Sequence, residues 1–287
     1  MRSALKLWLA FLLLLLSLGC SAQMEKTVRV NDLQIAYQEF GRGYPLIMIM
    51  GFSGAMDMWD AKVLKELASH YRVIVFDNRG VGLSTAGTKH FSIPQFTDDT
   101  AALMEALKIK QAHVLGWSMG TNMAEDLAIR YPDRVNKLIL YAADPGGKEQ
   151  LLPEKAISAQ MTDTSGTAKE RGQRMIGLLF PQAWLKQNPD PRLYFPTVSE
   201  KTDPKNIAKQ AQAMADWAGC YSQLSQIKSP TLLITGTDDV LTPPENSKII
   251  AKRIPNTRVV MIPSAGHGLM FQYPERFSRI VLEFLEK

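Results

Sequence analysis

Cysteine is scarce: the 287-residue chain has two, Cys20 and Cys220, which excludes a scaffold stapled by several disulfides. Histidine is nearly as rare, with four, and no His, Cys, Asp or Glu cluster has metal-ligand spacing. No metal and no cofactor is expected. Blocks of basic residues are also missing. The net charge is +5, and Arg2 and Lys6 of the first segment leave +3 on the remainder, so nucleic acid is not an expected partner. That excess is too small for binding to an anionic membrane by charge alone. The apolar run LWLAFLLLLLSL is twelve residues long, against the roughly 20 that span a bilayer as a helix. No internal repeat is present, and no low-complexity tract beyond this leader.

What is present begins with that leader. MRSALK is a positive segment, the apolar run follows, and SLGC-SAQ closes it with small residues. Small residues before a cysteine resemble a bacterial lipobox, although Ser17 stands where leucine is more typical. Residues 1–20 are therefore expected to be a signal peptide, with Cys20 as the lipidated first residue of the mature chain. A plain signal peptide cut after Ala22 and an uncleaved anchor are the alternatives. Each places the body outside the cytoplasm, either held at a membrane by its N-terminus or as a soluble exported protein. If Cys20 carries lipid, Cys220 is left alone and reads as a small buried apolar residue.

From residue 27 strands and helices alternate. TVRV and LQIAYQEF form an opening pair joined at Asn31-Asp32. PLIMIM, YRVIVFD, AHVLG and VNKLILYA are strand-like apolar runs. Between them, MWDAKVLKELASH, IPQFTDDTAALMEALKI and MGTNMAEDLAIRY carry apolar residues at helical spacing, the last stopped by Pro132. Continuous apolar strands alternating with helices predict a mostly parallel sheet covered on both faces. The rhythm breaks at Asp144. Residues 145–228 contain no convincing strand and read as helices with proline-rich breaks. Alternation then resumes with PTLLITG, TPPENSKIIAKRI, TRVVMIP and a closing helix, YPERFSRIVLEFLEK. The expected organisation is an α/β core over 27–144 and 229–287, with a helical cap over 145–228 inserted before the last two strands.

The stretch HVLGWSMGTNMAEDLAIRYP places Ser118 between two glycines where a strand gives way to a helix. A nucleophilic serine needs a base, an acid that orients the base, and donors for the oxyanion. In open α/β sheets such groups gather beyond the carboxyl ends of the strands. Of the four histidines, only His267 lies in a glycine-flanked loop, PSAGHG, just past a late strand; glycine there permits close approach and unusual angles. Three acids qualify: Asp238 and Asp239 after the strand that follows the insertion, and Asp144 before it. Thr242, Pro243 and Glu245 read as a capped helix start that would steady the Asp238–Asp239 loop. Met119, directly after the serine and at a helix N-terminus, should offer one oxyanion donor through its backbone N–H. Phe52 should offer the other, from a loop that Gly51 gives room.

GWSMG resembles the nucleophile elbow, G-x-S-x-G, of the α/β-hydrolase fold, and the resemblance runs from about residue 27 to the C-terminus. FDNRGVGLS resembles a turn common in the haloperoxidase-like and esterase-like branches. GTDDVLTP resembles the acid loop and aligns Asp239 with the catalytic acid; AGHG resembles the histidine loop. The resemblance implies a Ser118–Asp239–His267 triad. Where many relatives carry a histidine before the oxyanion-loop glycine, this chain has Met50, which removes a side chain that braces the loop. Asp77 and Arg79 are implied to be structural. Serine at the elbow points to acyl transfer through an acyl-enzyme, with a small acyl compound as substrate. Trp117, Gly51 and the Met- and Trp-bearing insertion are candidates for the acyl pocket. Two other readings stay open: a binding protein on the same scaffold, and acyl transfer to alcohol or peroxide by the same residues.

Overall fold

The computed structural model describes residues 25–163, 165–200 and 202–287. Cys20 and the leader lie outside the described residues. The chain opens with the antiparallel hairpin of β1 (Lys26–Val30) and β2 (Leu33–Phe40), turned at Asn31, whose φ of 48° is one asparagine tolerates. Next come β3 (Pro45–Ile49), α1 (Ala61–Ala68), β4 (Arg72–Phe76), α2 (Ile93–Ala106), β5 (Ala112–Trp117), α3 (Met119–Arg130) and β6 (Val135–Tyr141). A segment without a strand among its described residues follows, holding α4 (Lys155–Thr162), α5 (Ala168–Leu179), α6 (Gln182–Gln187) and α7 (Pro204–Ala215). The chain ends with β7 (Thr231–Gly236), α8 (Glu245–Ala251), β8 (Thr257–Ile262), α9 (Leu269–Gln272) and α10 (Pro274–Leu285).

One eight-stranded sheet results, in the order β1-β2-β4-β3-β5-β6-β7-β8. From β4 to β8 every pairing is parallel; β2 joins β4 antiparallel. Alternate residues of each strand go to opposite faces. Ile47, Ile49, Val114, Leu138 and Leu140 pack under α2 and α3, against Phe96, Leu103, Met123 and Leu127. Leu46, Met48, Val73, Leu115 and Ile139 pack on the other face, against Val63 and Leu67 of α1 and Phe277 and Val281 of α10. Each such side chain contributes about 1.5–3 kcal/mol by leaving water. Both faces are covered, as the unbroken apolar runs require.

Local signals place the helix ends. Asp60 accepts from the N–H groups of Lys62 and Val63 and starts α1; Ser92 accepts from Gln95 and starts α2 at Ile93-Pro94. One start differs from expectation. Thr242 does not cap α8, which begins at Glu245 after Pro244 with no side-chain cap. The reason lies upstream: the Asp239 carboxylate takes the Leu241 and Thr242 N–H groups at 2.9 and 2.8 Å, so these residues wind around the acid before the helix can begin. Among the described residues, no helix is long and apolar enough to cross a membrane.

Candidate active site

Strand β5 runs into α3 through Ser118, which adopts φ 54° and ψ −124°. Serine in that region is strained by about 1–3 kcal/mol, a cost that surrounding contacts must offset. They do so on both sides: the Ser118 N–H donates to Tyr141 O at 2.9 Å, and Ser118 O accepts from the Thr121 N–H and hydroxyl at 2.7 Å each. The flanking glycines serve close packing and not φ. A Cβ on Gly116 would collide with Gly120 O, and one on Gly120 with Ile49 O. Strand β3 therefore runs directly against the elbow. Gly51 continues this approach, since a Cβ there would stand 3.0 Å from Trp117 O and 3.1 Å from Ser118 Cβ.

Asp239 and His267, the acid and base expected from the sequence, meet across the ends of β7 and β8. His267 Nδ1 lies 2.9 Å from Asp239 Oδ2, and both side chains are buried. The other carboxylate oxygen is held by the Leu241 and Thr242 N–H groups, which orients the acid toward the ring. The rivals fall elsewhere. Asp238 accepts from the Thr237 hydroxyl at the surface. Asp144 is buried against Asn122 Nδ2 and the Gly146 N–H, and that burial raises its carboxyl above the usual range.

The histidine loop is fastened at several points. The Tyr141 hydroxyl donates to His267 O, the Gly268 N–H donates to Leu179 O at 2.9 Å, and the Gly266 N–H donates to Gln272 Oε1 at 2.8 Å. Of the two reasons expected for its glycines, only close approach applies. Cβ atoms on Gly266 and Gly268 would meet Leu179 O at 2.6 Å and the Phe180 ring at 2.5 Å. The left-handed residue of this loop is Ser264, φ 57°.

Trp117 is 4% exposed and belongs to the core behind the histidine. Its ring stacks on Tyr141 at 5.6 Å and lies 5.7 Å from the His267 ring. Phe52 and Met119 flank the elbow, and among the described residues neither backbone N–H has an acceptor. Met119 is the first residue of α3, where N–H groups are free of the helix ladder. Ser53, φ 57°, turns the loop after β3, and its N–H donates to Gln210 Oε1 of α7 at 2.7 Å. Asn78 Nδ2 steadies the same loop through Met50 O. Gln210 carried no signal in the sequence, because its partner lies 157 positions away.

Asp77 and Arg79 are structural here. Asp77 accepts from the Met56 and Leu83 N–H groups, and Arg79 pairs with Asp32 and Asp99. Cys220 is more than apolar filling, since its thiol lies 3.1 Å from Oε2 of the fully buried Glu125. Burial raises the Glu125 carboxyl well above the usual range. Among the described residues no group of three or more His, Cys, Asp or Glu side chains could hold a metal ion.

Known proteins show the same layout. A family model described as alpha/beta hydrolase fold matches residues 44–274. A protein of Caulobacter sp. strain K31, named as a candidate carbamate hydrolase, RutD, is 31% identical over 248 residues, covering 84% of this chain and 90% of its own. The pimeloyl-acyl-carrier-protein methyl ester esterase of Aeromonas hydrophila is 26% identical over 261 residues, covering 88% of this chain and all of its own. Among solved structures, a thermophilic esterase from Thermogutta terrifontis superposes with a TM-score of 0.78 at 26% identity, covering 92% of this chain and 98% of that one. With the sheet order, the serine elbow and a match over most of its length, the chain belongs to the alpha/beta hydrolase fold family, whose members similar to it include proteins named as hydrolases and as non-heme haloperoxidases.

Proposed function

We propose that the protein is a serine hydrolase that cleaves carboxylic esters or related small acyl compounds through an acyl-enzyme. The observation that carries the reading is the buried His267–Asp239 contact at 2.9 Å, on the loops that follow β8 and β7. It lies at the sheet end where Ser118 is held at a left-handed φ. Relatives named as an esterase and as a candidate carbamate hydrolase add support, since both names describe attack at an acyl carbon.

In this reading Ser118 Oγ attacks the acyl carbon while His267 takes the hydroxyl proton. Asp239, bonded to Nδ1, holds the ring in the tautomer that leaves Nε2 free to accept. The Phe52 and Met119 N–H groups receive the oxyanion, and α3 adds its N-terminal dipole. His267 returns the proton to the departing alcohol. Water, deprotonated by the same ring, then attacks the acyl-enzyme and releases the acid. The leader extends the proposal to an exported protein anchored by lipid on Cys20, which palmitate labelling of wild type and Cys20→Ser in a bacterial host would test.

The deciding experiment is hydrolysis of p-nitrophenyl esters from acetyl to dodecanoyl by wild type and Ser118→Ala, with fluorophosphonate labelling of both. Turnover and labelling that vanish with Ser118 are expected. A folded wild type with neither would overturn the reading in favour of a binding role.

A further inference from the structure

Helix α7 makes a polar crossing over the carboxyl ends of the central strands. Asn206 Nδ2 donates to Gly80 O, in the loop after β4, at 3.1 Å. One turn on, Gln210 Oε1 accepts from the Ser53 N–H, in the loop after β3, at 2.7 Å. Past the helix end, the Trp217 ring packs against Gly146, in the loop after β6, where a Cβ would collide with it. The sheet order there is β4-β3-β5-β6. Strand β5, whose last residue Trp117 directly precedes Ser118, therefore lies between the second and third of these contacts. Lengths agree: the nine helical steps from Asn206 to Ala215 rise about 14 Å, and three strand spacings are about 14 Å. The chain from Gln210 to Trp217 thus passes over the serine elbow.

Gln210 is fully buried, yet among the described residues its Nε2 has no hydrogen-bond partner. A buried amide nitrogen left without an acceptor costs about 1–3 kcal/mol, and such groups are few in folded proteins. Turning the amide over gives no relief, because Nε2 would then face the Ser53 N–H, donor against donor. The Ser53 contact therefore pins the amide with two N–H donors directed elsewhere, one residue along the chain from the Phe52 N–H. No other group of the described residues takes them, so their acceptor is a bound water or a ligand oxygen.

We infer that Gln210 is a specificity-determining residue with two roles. Its Oε1 braces the oxyanion loop from the cap, where Met50 supplies no polar side chain. Its Nε2 donates to a second oxygen on the acyl group, beyond the scissile carbonyl. The preferred substrates are then esters of oxo acids or of half-esterified diacids, and plain alkanoyl esters are poorer. This inference rests on the hydrolase reading and adds a substrate class to it.

The test compares p-nitrophenyl 4-oxopentanoate and p-nitrophenyl monomethyl succinate with p-nitrophenyl pentanoate. The enzymes are wild type, Gln210→Glu and Gln210→Leu, with thermal melting as a folding control. Gln210→Glu retains an acceptor for the Ser53 N–H and replaces the Nε2 donor by oxygen; Gln210→Leu removes both. Wild type should prefer at least one oxygenated ester over pentanoate by about tenfold in kcat/KM, the worth of about 1.4 kcal/mol. Gln210→Glu should erase that preference chiefly through KM, while Gln210→Leu should also lower kcat on every ester. A wild type with no preference for either oxygenated ester overturns the inference without any variant. So does a Gln210→Glu enzyme that loses the same factor on all three esters, since that effect comes from the loop alone. Failure of wild type to turn over or label at all removes the hydrolase reading and this inference with it. Turnover and labelling without selectivity remove this inference only.

Discussion

Among the contacts that seat the insertion between β6 and β7 on the core, two are of unlike kinds. One is aromatic. Leu179 and Phe180 are buried at the end of α5, and Phe180 lies 5.2 Å from Trp184, 5.1 Å from Tyr194 and 6.3 Å from Phe271 of the core. The other is polar. Ser199 and Glu200 donate their N–H groups to Asp57, Thr202 accepts from the Gly82 N–H, and Asn206 and Gln210 bond the loops after β4 and β3. Apolar burial is non-directional and scales with area, so the first contact holds the insertion down. Hydrogen bonds specify atoms, so the second sets where α7 lies above the elbow. Stability should therefore reside mainly in the aromatic contact, and selectivity in the polar one.

Breaking the aromatic contact should have the largest effect on stability. Phe180→Ala is expected to cost about 3 kcal/mol by leaving a cavity among Trp184, Tyr194, Phe195 and Phe271, read as a clear fall in thermal midpoint. A fall no larger than that of a surface substitution would mean the aromatic contact does not hold the insertion. The next effect sharpens the same contact from the core side. Gly268→Ala drives a methyl into the Phe180 ring, at an expected cost of about 1–3 kcal/mol. Combined with Phe180→Ala it should cost less than the two single changes added, because the clashing ring is gone. Simple additivity would show that Gly268 is required for another reason.

The smallest effect belongs to the polar contact and depends on pH. Glu200 and Asp77 face one another across Gly82, and with both ionised Glu200 Oε2 is buried without a donor. One proton turns the contact into a hydrogen bond. Burial beside Asp77, with Asp57 and Glu25 nearby, pushes the Glu200 carboxyl up to about 9. The folded protein thus holds this proton more tightly than the unfolded chain. The resulting stability is full below about pH 4.5, falls as pH rises, and is lost by about pH 9. Glu200 is partly exposed, so the change across that window should not exceed about 1 kcal/mol. Glu200→Gln, neutral at every pH, should flatten this decline in a comparison of melting curves from pH 5 to 9. Curves that stay parallel would exclude the shared proton.

Much of the core was legible because its signals are local. The unbroken runs around Leu46, Val114 and Leu232 had to be covered on both faces, and they are. Pro132 stopped α3, and Ser92 began α2. The acid loop was legible as a motif, but its mechanics were misread: Asp239 itself gathers the Leu241 and Thr242 N–H groups, and Thr242 caps nothing. Trp117 was expected beside the substrate because it adjoins Ser118 in sequence. Its side chain instead packs in the core, on Tyr141 and beside His267. Gln210 and Glu200 were not legible. A glutamine on a polar helix and a glutamate in a loop look like solvated surface until their partners are known.

By itself, then, the sequence determined what depends on neighbours along the chain: the strand and helix periods, the layered sheet they imply, and a serine between two glycines at a strand end. Tertiary structure brought Asp239, the acid to which the loop motif pointed, against His267, and alone decided what lies above the elbow. The physical reason is distance along the chain. The His267–Asp239 contact joins residues 28 positions apart and the Gln210–Ser53 contact residues 157 apart. No local preference encodes such pairings; the packing of the whole sheet, with the insertion folded back across it, creates them.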